Sequence, residues 1–263
     1  MTTAGLLRAE RDGHLLRITL ARPERRNALD ATLIAALTEA FSDVGDARAV
    51  VLAGEGDSFC AGADVEWMRS SIELSYEENV ADSTRLRRMY EAVDRCPAPV
   101  VAPVQRYVLG GGVGLVCCCD AVIAAEDVVF AFSEVKLGII PAVISPFALA
   151  RIGPGAARRY FVTGERFDAA TALRMGLVHE VVPVAELGAA VDRIVAEILS
   201  AGPEATRHAK SLVLDAPLDG LETARRIAER RASDEGQEGL HAFLEGRTPG
   251  QPGFASWSPE ETA

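Results

Sequence analysis

Three short apolar runs, at residues 49–53, 100–104 and 121–125, constrain this chain more than any other feature. They are bounded by Gly54, by Pro97 and Pro99, and by Asp120. A strand that is apolar on both sides must be covered on both faces, which marks a parallel sheet lying between helices. Helical segments fill the gaps. One runs from a cap at Asn27 or Asp30 to about residue 44, and another starts near Ala63 or Asp64. A long amphipathic helix over 77–95 is stopped by Pro97, and a short apolar helix covers 112–119. Residues 14–20 alternate and read as a first strand. Strand and helix in alternation predict an α/β fold with right-handed crossovers.

Beyond Pro141 the character changes. Segments 144–152, 155–162, 168–175, 185–200, 204–214, 219–232 and 234–246 all read as helices. At 263 residues the chain suits a core over 1–200 with a helical region over 201–263. That last region is expected to pack on its own core or on a neighbouring subunit.

A formal net charge of −11 argues against nucleic acid, whose phosphates reward clustered cations. Local arginines at 22, 25 and 26, and at 85, 87 and 88, leave a phosphorylated ligand open. The run at 85–88 also has the plain reading of a solvated helix face. No stretch approaches the ~20 apolar residues of a membrane helix, and no cleavable leader is expected. Five cysteines, three of them adjacent at 117–119, fit a reducing cytoplasm better than a disulfide framework.

Two turns built from small residues carry the chemistry. Phe59-Cys60-Ala61-Gly62-Ala63-Asp64 and Leu109-Gly110-Gly111-Gly112-Val113-Gly114 each precede a helix. Backbone without bulky side chains can approach a ligand and aim N–H groups at an oxygen. Brought together, the turns could donate two hydrogen bonds to one developing oxyanion, such as a thioester enolate. The glycine run is neither a dinucleotide fingerprint, since Leu115 stands where a glycine is needed, nor a P-loop. Alone it would read equally well as close helix–strand packing. Glu134, inside the apolar stretch 132–141, is the candidate acid/base, because burial would raise its pKa. Its alternative is a surface carboxylate beside Lys136.

Other groups read more simply. Adjacent cysteines on a helix point in different directions, so residues 117–119 suit packing rather than a metal. Cys60 has no histidine near it in sequence, and the four histidines form no ligand pair. A serine-hydrolase elbow is absent.

Taken together these motifs resemble the crotonase superfamily, the enoyl-CoA hydratase/isomerase family. The resemblance spans nearly the whole chain. It includes Asn27-Ala28-Leu29, both small-residue turns, Cys119-Asp120, Glu134 with Lys136-Leu137-Gly138 and Pro141, Arg158-Arg159-Tyr160, and Ala242-Phe243-Leu244-Glu245. It implies a ββα superhelix with a helical C-terminal trimerisation region, assembled as homotrimers or paired trimers. It implies acyl-CoA thioesters as substrates, with coenzyme A arriving as part of the substrate and no separate cofactor or metal. The N–H groups of Ala63 and Gly111 would form the oxyanion hole. Arg22, Arg25, Ala28, Ala61, Asp64 and Val65 would line the coenzyme path, with Trp67, Gly114 and Pro141 also near the substrate.

Three positions depart from the family pattern. Gly114 stands where hydratases usually carry the first of two glutamates, while Glu134 keeps the second. Glu66 replaces a common basic residue, and Gly246 a common lysine for which Arg247 is the candidate substitute. Isomerisation of an enoyl thioester needs one base, whereas hydration with one glutamate asks it to serve both water and C2. The stretches 112–116, 132–141 and 144–146 nevertheless resemble a bacterial methylglutaconyl-CoA-type hydratase subgroup. The expectation is therefore a cytoplasmic 2-enoyl-CoA hydratase, with an enoyl-CoA isomerase or a non-catalytic acyl-CoA binder as alternatives. Trp67, Met68, Tyr76 and the arginines of 85–88 would shape the acyl pocket, where an arginine could meet a substrate carboxylate.

Overall fold

The computed structural model describes residues 5–250 and residue 254, so the end of the 201–263 region lies outside the described residues. Strands β1 (Leu7–Asp12) and β2 (Leu15–Leu20) form an antiparallel hairpin. Helix α1 (Ala31–Ser42) then leads to β3 (Ala49–Gly54), which pairs parallel to β2. Helices α2 (Val65–Ser71) and α3 (Tyr76–Asp94) precede β4 (Val100–Val104) and β5 (Tyr107–Leu109). Helix α4 (Gly111–Cys117) is followed by β6 (Ala121–Ala125) and β7 (Val129–Ala131). The remainder comprises α5 (Ser145–Thr163), β8 (Phe167–Asp168), α6 (Ala169–Arg174) and β9 (Glu180–Val182), then α7 (Leu187–Ser200), α8 (Pro203–Leu214), α9 (Gly220–Ala232) and α10 (Asp234–Glu245).

The larger sheet has the order β1-β2-β3-β4-β6-β9, and every pair after the hairpin is parallel. The apolar runs behave as their composition demands. Val50 and Leu52 of β3, Val100 and Ala102 of β4, and Val122 and Ala124 of β6 enter the main core. Their neighbours Val51, Val101 and Ile123 face a second core, which α7 closes with Ala190, Val191 and Val195. Period-two alternation thus buries both faces.

A smaller sheet has the order β5-β7-β8, with β5 and β7 parallel and β8 antiparallel to β7. Its strands of two or three residues, and β1 with its exposed Arg8 to Asp12, leave little periodic trace and were not expected from the sequence. The predicted break between residues 152 and 155 is real: Gly153 leaves the helical region at φ 68° ahead of Pro154. Asp30, not Asn27, caps α1 by accepting from the Leu33 N–H at 2.8 Å. Among the described residues no helix is long and apolar enough to cross a membrane.

Candidate active site

The two small-residue turns meet at the mouth of the smaller sheet. The Cys60 N–H donates to the Tyr107 carbonyl at 3.1 Å, and the Leu109 N–H returns to the Cys60 carbonyl at 3.0 Å. A one-residue parallel bridge joins Leu29 to Ala63. The Leu29 N–H donates to the Gly62 carbonyl, and the Asp64 N–H donates to the Leu29 carbonyl, at 2.7 and 2.8 Å. Gly62 turns through φ 94°; a Cβ there would lie 2.8 Å from the Leu109 carbonyl and 3.7 Å from the Gly111 nitrogen. Only glycine allows the turns to come so close.

Gly110, at φ 47° and ψ −117°, starts α4, and its N–H donates to the Ala131 carbonyl at 2.8 Å. Among the described residues, the N–H groups of Ala63 and Gly111 donate to no protein acceptor. Gly111 is also the first residue of α4, where the helix dipole favours negative charge. Two free donors thus flank a small cradle between the adjoining turns.

Glu134 opens a turn of 3-10 helix, Glu134–Leu137, directly after β7. Its Oε1 lies 3.6 Å from where a Cβ of Gly110 would stand, so the carboxylate borders the same cradle. Its Oε2 is buried and has no hydrogen-bond partner. Burial pushes the carboxyl pKa up, opposed in part by the residue's own N–H. Glu134 is half-buried, and Lys136 beside it is exposed. A carboxyl with one oxygen buried and unpartnered, and with its pKa raised, is able to exchange a proton.

Gly114 lies fully inside. A Cβ there would meet Tyr90 ring carbons at 2.8 and 2.9 Å, with an Ile144 methyl group closer still. Tyr90 and Ile144 therefore form an apolar wall beside position 114. Tyr90 itself is fully buried on α3 and donates its hydroxyl hydrogen to the Gly111 carbonyl at 2.9 Å. Nothing in the sequence singled out Tyr90. It sits among core-facing Met89 and Val93 on a helix otherwise noted for its charges.

The segment expected to line the coenzyme path divides in two. Arg22 is buried, and its guanidinium is held by the Ala28 carbonyl at 2.7 Å, Asp30 at 2.8 Å and Asp64 at 3.2 Å. It shapes the wall rather than offering a free cation, which leaves exposed Arg25 and Arg26 on that turn. Arg26 lies over the Tyr107 ring at 5.2 Å. Burial works against the Asp64 charge, but the N–H groups of Glu66 and Trp67, with Arg22, hold its pKa below the ordinary range. Through those N–H groups Asp64 caps α2. Ala28 is buried, Ala61 and Trp67 are half-buried, Val65 is exposed, and Pro141 is buried after the Glu134 turn.

Four further expectations meet their surroundings. Arg85 pairs with Asp82 at 2.8 Å and, with Arg88, faces a groove between α1 and α3 lined by Ala31, Ile34 and Thr38. That is not the cradle, so a meeting of these arginines with a substrate carboxylate there lacks support. Arg247 is engaged by Glu238 and Glu245 at 2.6 and 2.7 Å, and the Arg247 hydrogen bond, with that of the Gly250 N–H, drops the Glu238 pKa to about 2. Cys60, Cys117, Cys118 and Cys119 are buried free thiols, as packing residues should be. Burial pushes the Cys60 thiol up to about 12, far from a nucleophile.

The profile of the enoyl-CoA hydratase/isomerase family matches residues 10–252. The chain is 34% identical over 248 residues to a crotonyl-CoA hydratase of Syntrophomonas wolfei, covering 90% of this chain and 94% of that one. An enoyl-CoA hydratase structure from Shewanella pealeana superposes with a TM-score of 0.88 at 38% identity, over 94% of this chain and 96% of its own. AtuE of Pseudomonas aeruginosa does so with a TM-score of 0.88 at 36% identity, over 93% and 98%. With its crotonase fold and a matching profile over most of its length, the chain belongs to the enoyl-CoA hydratase/isomerase family.

Proposed function

We propose that this protein is a hydratase that adds water across the 2,3 double bond of a 2-enoyl-CoA thioester, using one carboxylate. The observation that carries this reading is the partnerless buried Oε2 of Glu134 beside two undonated N–H groups. The thioester oxygen accepts from the Ala63 and Gly111 N–H groups, which stabilise the enolate as it forms. One such donor is worth about 10²–10³ in kcat. Water attacks C3 and gives a proton to Glu134, and Glu134 returns that proton to C2. One hydroxyl and one hydrogen are thereby added, and the carboxylate is regenerated. The hydratase names of the relatives support the same choice.

The apolar wall of Tyr90 and Ile144 at Gly114 favours a second reading. With one base and no second carboxylate, the same site could move a proton between C4 and C2 of a 3-enoyl-CoA. Incubation of crotonyl-CoA, 3-methylglutaconyl-CoA and a 3-enoyl-CoA in heavy-oxygen water separates the two by mass spectrometry. Gain of one labelled water means hydration, and the relative rates rank the acyl chains. Conversion of the 3-enoyl thioester without gain of mass means isomerisation.

The same reading includes assembly as homotrimers or paired trimers in the cytoplasm. Exposed Val213, Leu221 and Leu244 on α8, α9 and α10 support burial against another subunit. Analytical ultracentrifugation tests it, and a monomer at micromolar concentration would refute it.

A further inference from the structure

We infer, resting on the function proposed above, that Tyr90 is a positioning residue which holds the Gly111 N–H on the thioester oxygen through the Gly111 carbonyl. Tyr90 is fully buried, so it acts through the backbone and touches no substrate. The donor it serves stands in a run of three glycines, Gly110 to Gly112, the most freely rotating backbone in the chain. Such a donor keeps its direction only if the peptide planes on either side are tied.

Three ties exist. The Gly110 N–H is bound to the Ala131 carbonyl at 2.8 Å. The Gly110 carbonyl, which shares a peptide plane with the Gly111 N–H, accepts from the Val113 N–H at 2.9 Å and the Gly114 N–H at 3.4 Å. The Gly111 carbonyl, one plane further on, accepts the Tyr90 hydroxyl at 2.9 Å. Among the described residues, Tyr90 is the only side chain that bonds to this glycine run. Its ring leans on Gly114, where no Cβ would fit, and on Phe147, with ring centroids 5.9 Å apart. The hydroxyl therefore cannot swing away. Burial and nearby Cys60, Cys118 and Glu134 raise the phenol pKa, which keeps the proton on the donor.

Hydrogen bonds weaken steeply as they bend, and a displaced donor costs rate rather than binding. Tyr90→Phe keeps the ring and deletes only the tie. The expected result is a fall in kcat of about tenfold or more with acyl-CoA affinity unchanged. A second readout is the carbonyl stretch of bound butyryl-CoA, a saturated analogue labelled at its carbonyl carbon. Binding to the wild type should lower that frequency, and Tyr90→Phe should reduce the shift. Val195→Ala, in the second core, serves as a destabilised control and should leave the shift intact.

A Tyr90→Phe variant with wild-type kcat and wild-type frequency shift would overturn the inference while leaving the proposed function standing. Equal losses of shift in Val195→Ala would also overturn it, because general softening would then suffice. No shift in the wild type would remove the oxyanion reading and this inference together.

Discussion

Replacing Gly114 with alanine should destabilise the protein, although alanine is the better helix former. The gain from removing a glycine inside α4 is about 1 kcal/mol. Against it stands a Cβ forced to within 2.8 and 2.9 Å of Tyr90 and nearer still to Ile144. Both neighbours are buried, at 0% and 3% exposure, and Tyr90 is further held by its bond to Gly111. Overpacking of this kind typically costs about 1–3 kcal/mol, and contact from two sides places Gly114 toward the upper end. The net loss is then about 1–2 kcal/mol. For a chain of this size each kcal/mol corresponds to about 2–4 °C in Tm. Gly114→Ala should therefore melt about 2–8 °C lower by circular dichroism. It should also lose activity at temperatures where it is fully folded, because Tyr90 can move only by disturbing Gly111. A variant that melts at or above the wild-type temperature would show that the space at Gly114 is not filled as described.

Glu134→Gln should lower turnover at least about 10³-fold while acyl-CoA binding, measured by calorimetry, stays within a few-fold. The raised pKa of Glu134 means that the folded protein binds this proton more tightly than the unfolded chain does. Its contribution to stability is full below the ordinary carboxylate pKa and is lost as pH rises through the raised value. Glu134→Gln should thus be more stable than wild type at neutral pH, with the difference closing on acidification; urea titrations across pH 4–8 read it. Asn27→Ala should cost about 2–4 kcal/mol in urea unfolding. Its buried side chain accepts from the Arg22 N–H and donates to the Glu55 and Ser58 carbonyls, which would be left unpaired. A thiol reagent should label none of the five cysteines in the folded protein and all five after denaturation.

Much of the scaffold was legible because its signal is local. The runs at 49–53, 100–104 and 121–125 are apolar on both sides, and each became a strand covered on both faces. The Gly153-Pro154 break and the stop at Pro97 act through their own backbone geometry, so they too could be read directly. The brief strands β5, β7 and β8 could not, since pairing with distant partners defines them and two or three residues carry no period.

The division runs through the site as well. Amino-acid type alone determined that glycines would let two turns approach, that one carboxylate would be present at 134, and that none would be present at 114. The surroundings came from elsewhere in the chain. Asn27 was one of two candidate caps for α1, but its side chain donates to the Glu55 and Ser58 carbonyls instead. Arg22 had the charge for a phosphate, but Asp30 and Asp64 claimed it. Tyr90, twenty-four residues before Gly114, filled the gap left there and took hold of Gly111. A residue's chemistry is set by its own atoms, whereas its pKa, its partners and the space beside it are set by whichever distant segments the fold packs against it.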